Sequence, residues 1–268
     1  MLRRTFAVVQ KGERGLYFPI NHRIVDRRIA SGVTVEEADV QSRYRRELRT
    51  SFATGETRQT IPPAWSACER PTHFLSLRLP VRNVLRTRVN EMYNQILFSH
   101  QQHAPLLVPL EKLHITLGVM AISEREETER LASIYDCVSE VFSVIHPLQL
   151  RFRGLGTFGF GRVLFIRVVP EADFGILETA VSKIRRRVGG ELKVDMKGNP
   201  HDSYVPHVTI AKIRSKQQTQ FGSKIPISMW VEYQHHDFGD VTFSQVDICS
   251  MRGSKDGYYH TEGSVHLL

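Results

Sequence analysis

One alternating pattern, met twice, constrains the fold of this 268-residue chain more than any other feature. It occurs in Leu113-His114-Ile115-Thr116-Leu117 and again in Pro206-His207-Val208-Thr209-Ile210, 93 residues later. Successive side chains of a β-strand point to opposite faces of the sheet. Each segment is therefore predicted to be a strand that buries its apolar residues and presents one histidine and one threonine together on the other face.

Such a pair of side chains forms half of a phosphate site. The threonine hydroxyl can donate a hydrogen bond to a non-bridging oxygen, and the imidazole can move a proton. With two halves around one phosphorus, a neutral imidazole takes a proton from the attacking hydroxyl or water, and an imidazolium protonates the leaving oxygen. We therefore predict His114 and His207 as catalytic and Thr116 and Thr209 as phosphate-binding, in a reaction that needs no metal and no cofactor.

A single His-x-Thr triplet is a weak signal, because chance yields roughly one in a chain of this composition. A structural histidine at a strand end is the alternative interpretation of either triplet. The matched apolar context of both favours a shared site. A zinc hydrolase is disfavoured, because the sequence contains no His-x₃-His or Cys-x₂-Cys pair.

From residue 73 onwards, strand and helix patterns alternate. Strands are predicted at residues 73–80, 112–120, 147–153, 163–169, 205–213, 241–251 and 258–268, and helices at 82–98, 126–145 and 171–188. The second helix is predicted to open with a capping box at Ser123 and Glu126. A glycine turn is predicted across Gly154, Gly156, Gly159 and Gly161, and a helical or irregular segment at 229–236. The order strand, helix, His-x-Thr strand occurs twice, which predicts two related lobes.

Residues 1–70 differ from the rest, with thirteen Arg and Lys against eight Asp and Glu and few apolar residues. Such a segment cannot easily bury a core of its own. We predict a basic N-terminal extension over 1–70, with one short helix near 35–48, followed by a domain over 71–268. The first residues are basic, as in an organellar targeting sequence, and a disordered basic tail is the alternative.

Charge and composition narrow the partners and the compartment. The formal net charge of +8 suits a polyanion such as RNA. No apolar run is long enough for a membrane span. The three cysteines are scattered, which favours a reducing compartment. We expect an intracellular protein, either mitochondrial or cytoplasmic and nuclear.

The sequence resembles the 2H phosphoesterase superfamily, whose members carry two His-x-Thr or His-x-Ser motifs. Within it, the chain is similar to the branch of the A-kinase anchoring protein central domains and the viral enzymes that degrade 2′,5′-oligoadenylate. The similarity runs from about residue 72 to the C-terminus. It also includes Phe74-Leu75-Ser76-Leu77-Arg78-Leu79-Pro80, Gly154-Leu155-Gly156-Thr157-Phe158-Gly159, Val246-Asp247-Ile248-Cys249-Ser250-Met251 and Gly257-Tyr258-Tyr259-His260.

This resemblance implies an α+β fold of two pseudo-symmetric lobes, each an antiparallel sheet backed by helices, around a central cleft. It implies that His114 and His207 face each other across that cleft. A base or sugar would lie at the cleft edge, where Phe74, Tyr204 and Tyr258 are candidates for stacking, with a core position as the alternative for each. Lys212 is a candidate for neutralising phosphate. A kinase-anchoring helix is not evident, so kinase anchoring is not predicted.

Two functions of different classes follow. The first is a metal-independent phosphodiesterase that acts on 2′,5′-linked oligonucleotides or on 2′,3′-cyclic phosphate ends of RNA. The second is an RNA- or protein-binding subunit of a ribonucleoprotein complex that uses a 2H fold as a platform and residues 1–70 as a tether. The intact motifs favour the enzyme, and the basic extension favours the binding subunit.

Overall fold

A computed structural model describes residues 70–197 and 204–268 of the chain. The described strands are β1 His73–Arg78, β2 His114–Ala121, β3 Leu148–Phe158, β4 Val163–Val168, β5 Asp195–Lys197, β6 His207–Lys212, β7 Asp237–Phe243, β8 Gln245–Lys255 and β9 Tyr258–His266. The α-helices are α1 Val84–His100, α2 Glu127–Phe142, α3 Phe174–Arg186 and the short α4 Gln218–Phe221. A π-helical turn, Arg187–Glu191, follows α3.

The strands form one antiparallel sheet in the order β7-β3-β4-β6-β2-β1-β8-β9, with β5 paired to β2. The first lobe comprises β1, β2, β8 and β9, and the second lobe comprises β3, β4, β6 and β7. Between the lobes, β2 and β6 share a single backbone pair, Ile115 with Val208. Four strands on either side of one join make the two-lobe organisation predicted from the sequence.

The lobes also repeat each other in connectivity. In the first lobe, β1 leads through α1 to the His-x-Thr strand β2, and in the second, β4 leads through α3 to the His-x-Thr strand β6. Helix α1 packs on β7, α3 packs on β2 and β3, and α2 packs on β8 and β9. The α+β fold with helices behind an antiparallel sheet is thereby confirmed.

The core lies between the helices and one face of the sheet. Helix α1 buries the predicted stripe of Leu85, Val89, Met92 and Ile96. Strands β2 and β6 bury the aliphatic residues on either side of the motif threonines, as the alternation predicted. Each fully buried aliphatic side chain contributes on the order of 1.5–3 kcal/mol. The sheet face opposite this core is thereby left for the motif histidines and threonines.

Both motif strands bulge at the same place. In β2 the pairing with β1 skips Leu117, the residue after Thr116, and in β6 the pairing with β4 skips Ile210, the residue after Thr209. A bulge bends a strand and re-aims its side chains, which is why bulges accumulate near functional sites. The two motifs therefore share a β-bulge after the threonine as well as the His-x-Thr pattern.

Three predicted details are wrong. Gly154 and Gly156 lie within β3, and the turn is confined to Gly159–Gly161. Helix α2 begins at Glu127 with no side-chain cap, so Ser123 and Glu126 form no capping box. The strand predicted at 241–251 is instead parts of β7 and β8.

The remaining predictions concern one irregular segment of the domain and the N-terminal extension. The segment predicted at 229–236 consists of short 3₁₀ turns, including Val231–Tyr233. The helix predicted near 35–48, like the whole extension, lies outside the described residues. No helix in the described part of the chain is long and apolar enough to cross a membrane.

Candidate functional site

The join between the lobes brings the two motifs side by side. Ile115 pairs with Val208 in antiparallel register. One step to either side, this register sets His114 across from Thr209 and Thr116 across from His207. All four polar side chains are partly exposed, whereas the aliphatic residues between them are buried on the opposite face. The predicted quartet therefore shares one face at the centre of the sheet.

Each histidine is held by the same hydrogen bond. The Nδ1 of His114 lies 2.8 Å from the carbonyl oxygen of Lys112, and the Nδ1 of His207 lies 2.8 Å from that of Val205. A carbonyl oxygen can only accept, so Nδ1–H donates in both rings. The Nε2 atom then holds the lone pair in the neutral ring and a proton in the imidazolium. Both histidines thus keep Nε2 for exchange of a proton.

Burial disfavours the charged form of both rings. It lowers the pKa of His114 to about 4, against a partial increase from the hydrogen bond to Lys112 and a further decrease from the charge of His207. Burial also lowers the pKa of His207, again opposed by its backbone hydrogen bond. The effect of one histidine on the other means that the rings interact electrostatically across the join. In the free protein, both are neutral at neutral pH.

Aromatic side chains surround each histidine. The ring centroid of His114 lies 5.0 Å from Phe74, 6.0 Å from Tyr258 and 5.8 Å from Tyr259. That of His207 lies 4.8 Å from Phe158 and 5.2 Å from Phe165. These apolar walls account for the desolvation of both imidazoles and fix the ring orientations.

A buried polar network lies beside the first histidine, on the same face of the sheet. The hydroxyl groups of Ser76 and Tyr258 lie 3.0 Å apart, and Ser76 Oγ lies 3.6 Å from Cys249 Sγ. Burial raises the pKa of Cys249 to about 11, so its thiol stays protonated. Nearby, the buried carboxylate of Asp247 accepts hydrogen bonds from Gln245 and Ser264. The contacts among Ser76, Cys249 and Tyr258 join β1, β8 and β9 next to the site.

An arginine stands across from each histidine, and sequence reasoning missed both. Arg78 of β1 pairs with His114, and Arg167 of β4 pairs with His207. Directly opposed residues share a face of the sheet. The Arg78 guanidinium lies 4.2 Å from the Tyr258 ring centroid, and that of Arg167 lies beside Gly156 of β3. Because register cannot be read from one sequence, nothing in the pattern singled these arginines out.

The predicted stacking residues are buried, and Phe74 and Tyr258 lie beside His114 on the same face of the sheet. Phe74, Tyr204 and Tyr258 expose 3%, 7% and 0% of their surfaces. The Tyr204 hydroxyl donates to the carbonyl of Thr116 at 3.0 Å, which braces β2. Phe74 and Tyr258 contact the ring of His114, and Tyr204 contacts the backbone of the same strand. Lys212 is exposed at the end of β6, across from Val163.

Among residues 70–197 and 204–268, no group of three or more His, Cys, Asp or Glu side chains is arranged to hold a metal ion. The two free cysteines of this part, Cys137 and Cys249, are buried. The polar side chains described at the join are two imidazoles, two hydroxyls and two guanidinium groups.

Comparison with known proteins relates this arrangement to a family. The family model described as "AKAP7 2'5' RNA ligase-like domain" matches residues 71–267. Human A-kinase anchor protein 7 isoform gamma is 26% identical over 204 residues. That match covers 73% of this chain and 57% of the relative, so the chain spans little more than half of the relative's length.

Two solved structures illustrate the structural similarity that comparison finds. A crystal structure described as a phosphoesterase gives a TM-score of 0.48 at 15% identity and covers 74% of this chain and 99% of its own. Escherichia coli LigT complexed with ATP gives a TM-score of 0.47 at 14% identity, with the same coverage of 74% and 99%.

Proposed function

The chain belongs to the AKAP7 2′5′ RNA ligase-like family within the 2H phosphoesterase superfamily, and from this membership we propose that it cleaves a phosphodiester bond in an oligonucleotide by two-histidine acid–base catalysis. The observation that carries the proposal is the matched pair of half-sites. His114 and His207 have the same register, the same bulge and the same Nδ1 hydrogen bond on either side of one backbone pair.

In the proposed reaction, each histidine acts through Nε2. One neutral imidazole removes the proton from a ribose hydroxyl or a water as its oxygen bonds to phosphorus. The opposite imidazolium gives its proton to the leaving oxygen as the second phosphorus–oxygen bond breaks. The pair thus ends with its protonation states exchanged, and no charge is gained or lost overall.

The remaining groups of the quartet stabilise the phosphate. The hydroxyls of Thr116 and Thr209 donate to the non-bridging oxygens, whose charge grows in the transition state. Arg78 and Arg167 each add a guanidinium on the same face as a histidine. A bound phosphodiester anion also favours the imidazolium, which offsets the desolvation that lowers both histidine pKa values.

The substrate class we propose is RNA ends or 2′,5′-linked oligonucleotides. Opening of a 2′,3′-cyclic phosphate uses water as the attacking group. Cleavage of a 2′,5′ linkage can use water or the adjacent 3′-hydroxyl. Either reaction needs one proton removed and one supplied across the phosphorus, which is what the two facing imidazoles offer.

The test is incubation of the full chain with 2′,5′-oligoadenylate, 3′,5′-oligoadenylate and an RNA ending in a 2′,3′-cyclic phosphate, all in EDTA. Cleavage of at least one substrate is expected, with the His114→Ala/His207→Ala double variant inactive. Loss of activity in EDTA that a divalent ion restores would contradict the metal-independent mechanism. Binding of RNA without cleavage of any substrate would instead favour the ribonucleoprotein subunit.

Residues 1–70 are proposed as a separate tether for RNA or a larger assembly. Thr72, just after this segment, already belongs to the domain, since its backbone bonds to Met120 and Met251. A chain that begins at Pro71 should keep its turnover on short oligonucleotides. It should lose a salt-dependent part of its affinity for long RNA. If that shortened chain cannot fold, the proposed boundary is wrong.

A further inference from the structure

The join between the two lobes contains little sheet pairing. Strands β2 and β6 share the single pair Ile115–Val208, whereas each is paired along most of its length with β1 or β4 of its own lobe. The two motif histidines stand on either side of this pair, so a small slip between the lobes would change the distance between their rings. The spacing of the histidines therefore depends on contacts beyond the single pair.

One such contact is made by Tyr93, a buried residue of α1, the helix between β1 and β2. Its hydroxyl lies 2.6 Å from the carbonyl oxygen of Ile210 in β6 and 3.0 Å from that of Val108, in the segment that leads to β2. Both carbonyls can only accept, so the hydroxyl donates, and burial raises its pKa and so retains the proton. Ile210 is the bulge residue that follows Thr209. Tyr93 thus holds the second motif strand directly after its threonine.

A second tyrosine hydroxyl crosses the join in the other direction. Tyr204 lies just before β6, and its hydroxyl donates to the carbonyl of Thr116 in β2 at 3.0 Å. The Arg185 guanidinium of α3 lies 4.9 Å from the Tyr204 ring centroid, and its Nε donates at 3.4 Å to the carbonyl of Leu117, the bulge residue of β2. The first motif strand is therefore held at its threonine and at its bulge by residues that belong to the second lobe.

The two hydroxyl contacts correspond to each other across the join. Each meets a motif strand at the threonine or at the residue after it, and each comes from the part of the chain that leads into the other motif strand. Burial of a hydroxyl is unfavourable unless it is hydrogen-bonded, so a phenylalanine would fill either position without that requirement. The presence of a tyrosine on both sides therefore favours a role of the hydroxyls in the geometry of the site.

We propose that Tyr93 and Tyr204 are positioning residues, each of which fixes the motif strand of the opposite lobe. Together they set the spacing of His114 and His207, and Arg185 supports Tyr204 in this role. The two tyrosines act through the histidines. The inference rests on the proposed function and deepens it, because it identifies the groups that hold the acid and the base at one separation.

The kinetic test removes one hydroxyl at a time and keeps the ring. On the oligonucleotide that the full chain cuts, Tyr93→Phe and Tyr204→Phe should each lower kcat by about 10- to 100-fold, since a misplacement of about 1 Å can cost this much. KM should stay near the wild-type value, because the lost stabilisation is that of the transition state. Tyr135→Phe, which removes the hydroxyl of an exposed tyrosine of α2, is the matched control. Wild-type kcat in both variants would overturn the proposal.

A mutant cycle separates positioning from a purely structural role. In the His207→Ala background, Tyr93→Phe should cause no further loss of kcat, because the imidazole that it positions is gone. A loss as large as that in the wild-type background would show that the hydroxyl acts independently of His207, which would overturn the positioning role.

NMR titration of the free protein tests the positioning without any substrate. Loosening of β6 admits water to His207, so Tyr93→Phe should raise the pKa of His207 toward its ordinary value and change that of His114 less. Tyr204→Phe should do the reverse, raising the pKa of His114. If one variant cannot fold, the other decides. Unchanged pKa values would overturn the positioning role, whether or not any substrate is cut. The predicted changes in a protein that cuts no substrate would overturn the proposed function alone.

Discussion

The two lobes repeat one backbone and differ in charge. Each has a four-strand sheet, a His-x-Thr strand with the same bulge, and an arginine opposite the histidine. Around His207, β3, β4 and β6 contain four Arg and Lys and no Asp or Glu, and the two aspartates of β7 pair with Arg151. Around His114, the supporting residues form a buried polar network that includes Asp247.

The proposed reaction has two requirements, an acid–base pair and a fixed direction of substrate binding. A symmetric site can meet only the first. Matched half-sites can supply an acid and a base, but they give no reason for a substrate to bind in one direction. The direction of the nucleotide chain must come from what surrounds the pair. For the proposed reaction, the repeated backbone would supply the acid and the base, and the residues that differ between the lobes would set the orientation of the substrate.

The largest effects should come from the shared chemistry. His114→Ala and His207→Ala should each lower kcat on the order of 10²–10⁴-fold, because either loss removes one of the two proton transfers. The double variant should be little worse than either single one, since the pair acts as a unit. Steady-state kinetics measure this, and the exposed His146→Ala is the control. Additive losses would show that the half-sites act independently.

Replacement of the paired arginines tests how far the symmetry extends. Arg78→Gln and Arg167→Gln should each lower kcat/KM by about 10- to 100-fold, the size expected for a charge-assisted hydrogen bond to phosphate. Arg151→Gln is the matched control, because Arg151 is held in ion pairs by Asp237 and Asp240. A loss for only one arginine would restrict the phosphate site to one lobe.

The pH dependence probes the electrostatic difference between the histidines. Burial lowers both pKa values, that of His114 to about 4. The form with one neutral and one charged ring is therefore most abundant in the free protein below pH 6.5. We expect kcat/KM to peak below that pH and to fall by roughly tenfold per unit on the alkaline side. The kcat profile should peak at higher pH, because bound phosphate raises the histidine pKa values. NMR titration of each ring provides the check, and a kcat/KM optimum above pH 8 would contradict the assignment.

Two glycines offer the smallest and most local comparison. A Cβ on Gly156, in the second lobe, would lie 2.6 Å from the Phe165 ring, and one on Gly118, in the first, 2.5 Å from the end of Met196. A packed ring cannot move aside as a methionine can. Gly156→Ala should therefore lower the free energy of unfolding by about 1–3 kcal/mol, and Gly118→Ala by less than about 1 kcal/mol. Urea denaturation measures both values, and equal losses would refute this account.

The features predicted from the sequence are those with a local cause. Strand alternation is enough to predict that His114 and Thr116 share a face, and the 3.6-residue period predicts the buried stripe of α1. The glycine error shows the limit of such reasoning. Gly156 serves a close approach to the Phe165 ring within a strand, and in one sequence it cannot be told from a glycine in a turn.

The parts that were missed depend on which strands become neighbours. Arg78 and Arg167 gain their significance only from register, and Tyr259 only from its contact with His114. The family resemblance made Phe74, Tyr204 and Tyr258 candidates for stacking, and the structure buries all three. Burial is a property of the assembled fold, so one sequence does not give it.

The sheet has four strands on each side of the β2–β6 pair, in an arrangement like that of two subunits related by a two-fold axis. This arrangement affects how substitutions can accumulate in such a protein. In a homodimer with the same arrangement, the pair Ile115–Val208 would lie on the two-fold axis, and every substitution would appear on both sides. Because both lobes belong to one chain here, a substitution in one lobe does not appear in the other. One lobe can change its surface residues while the other keeps its own, and the β2–β6 pair still lies between two histidines that make the same backbone hydrogen bond.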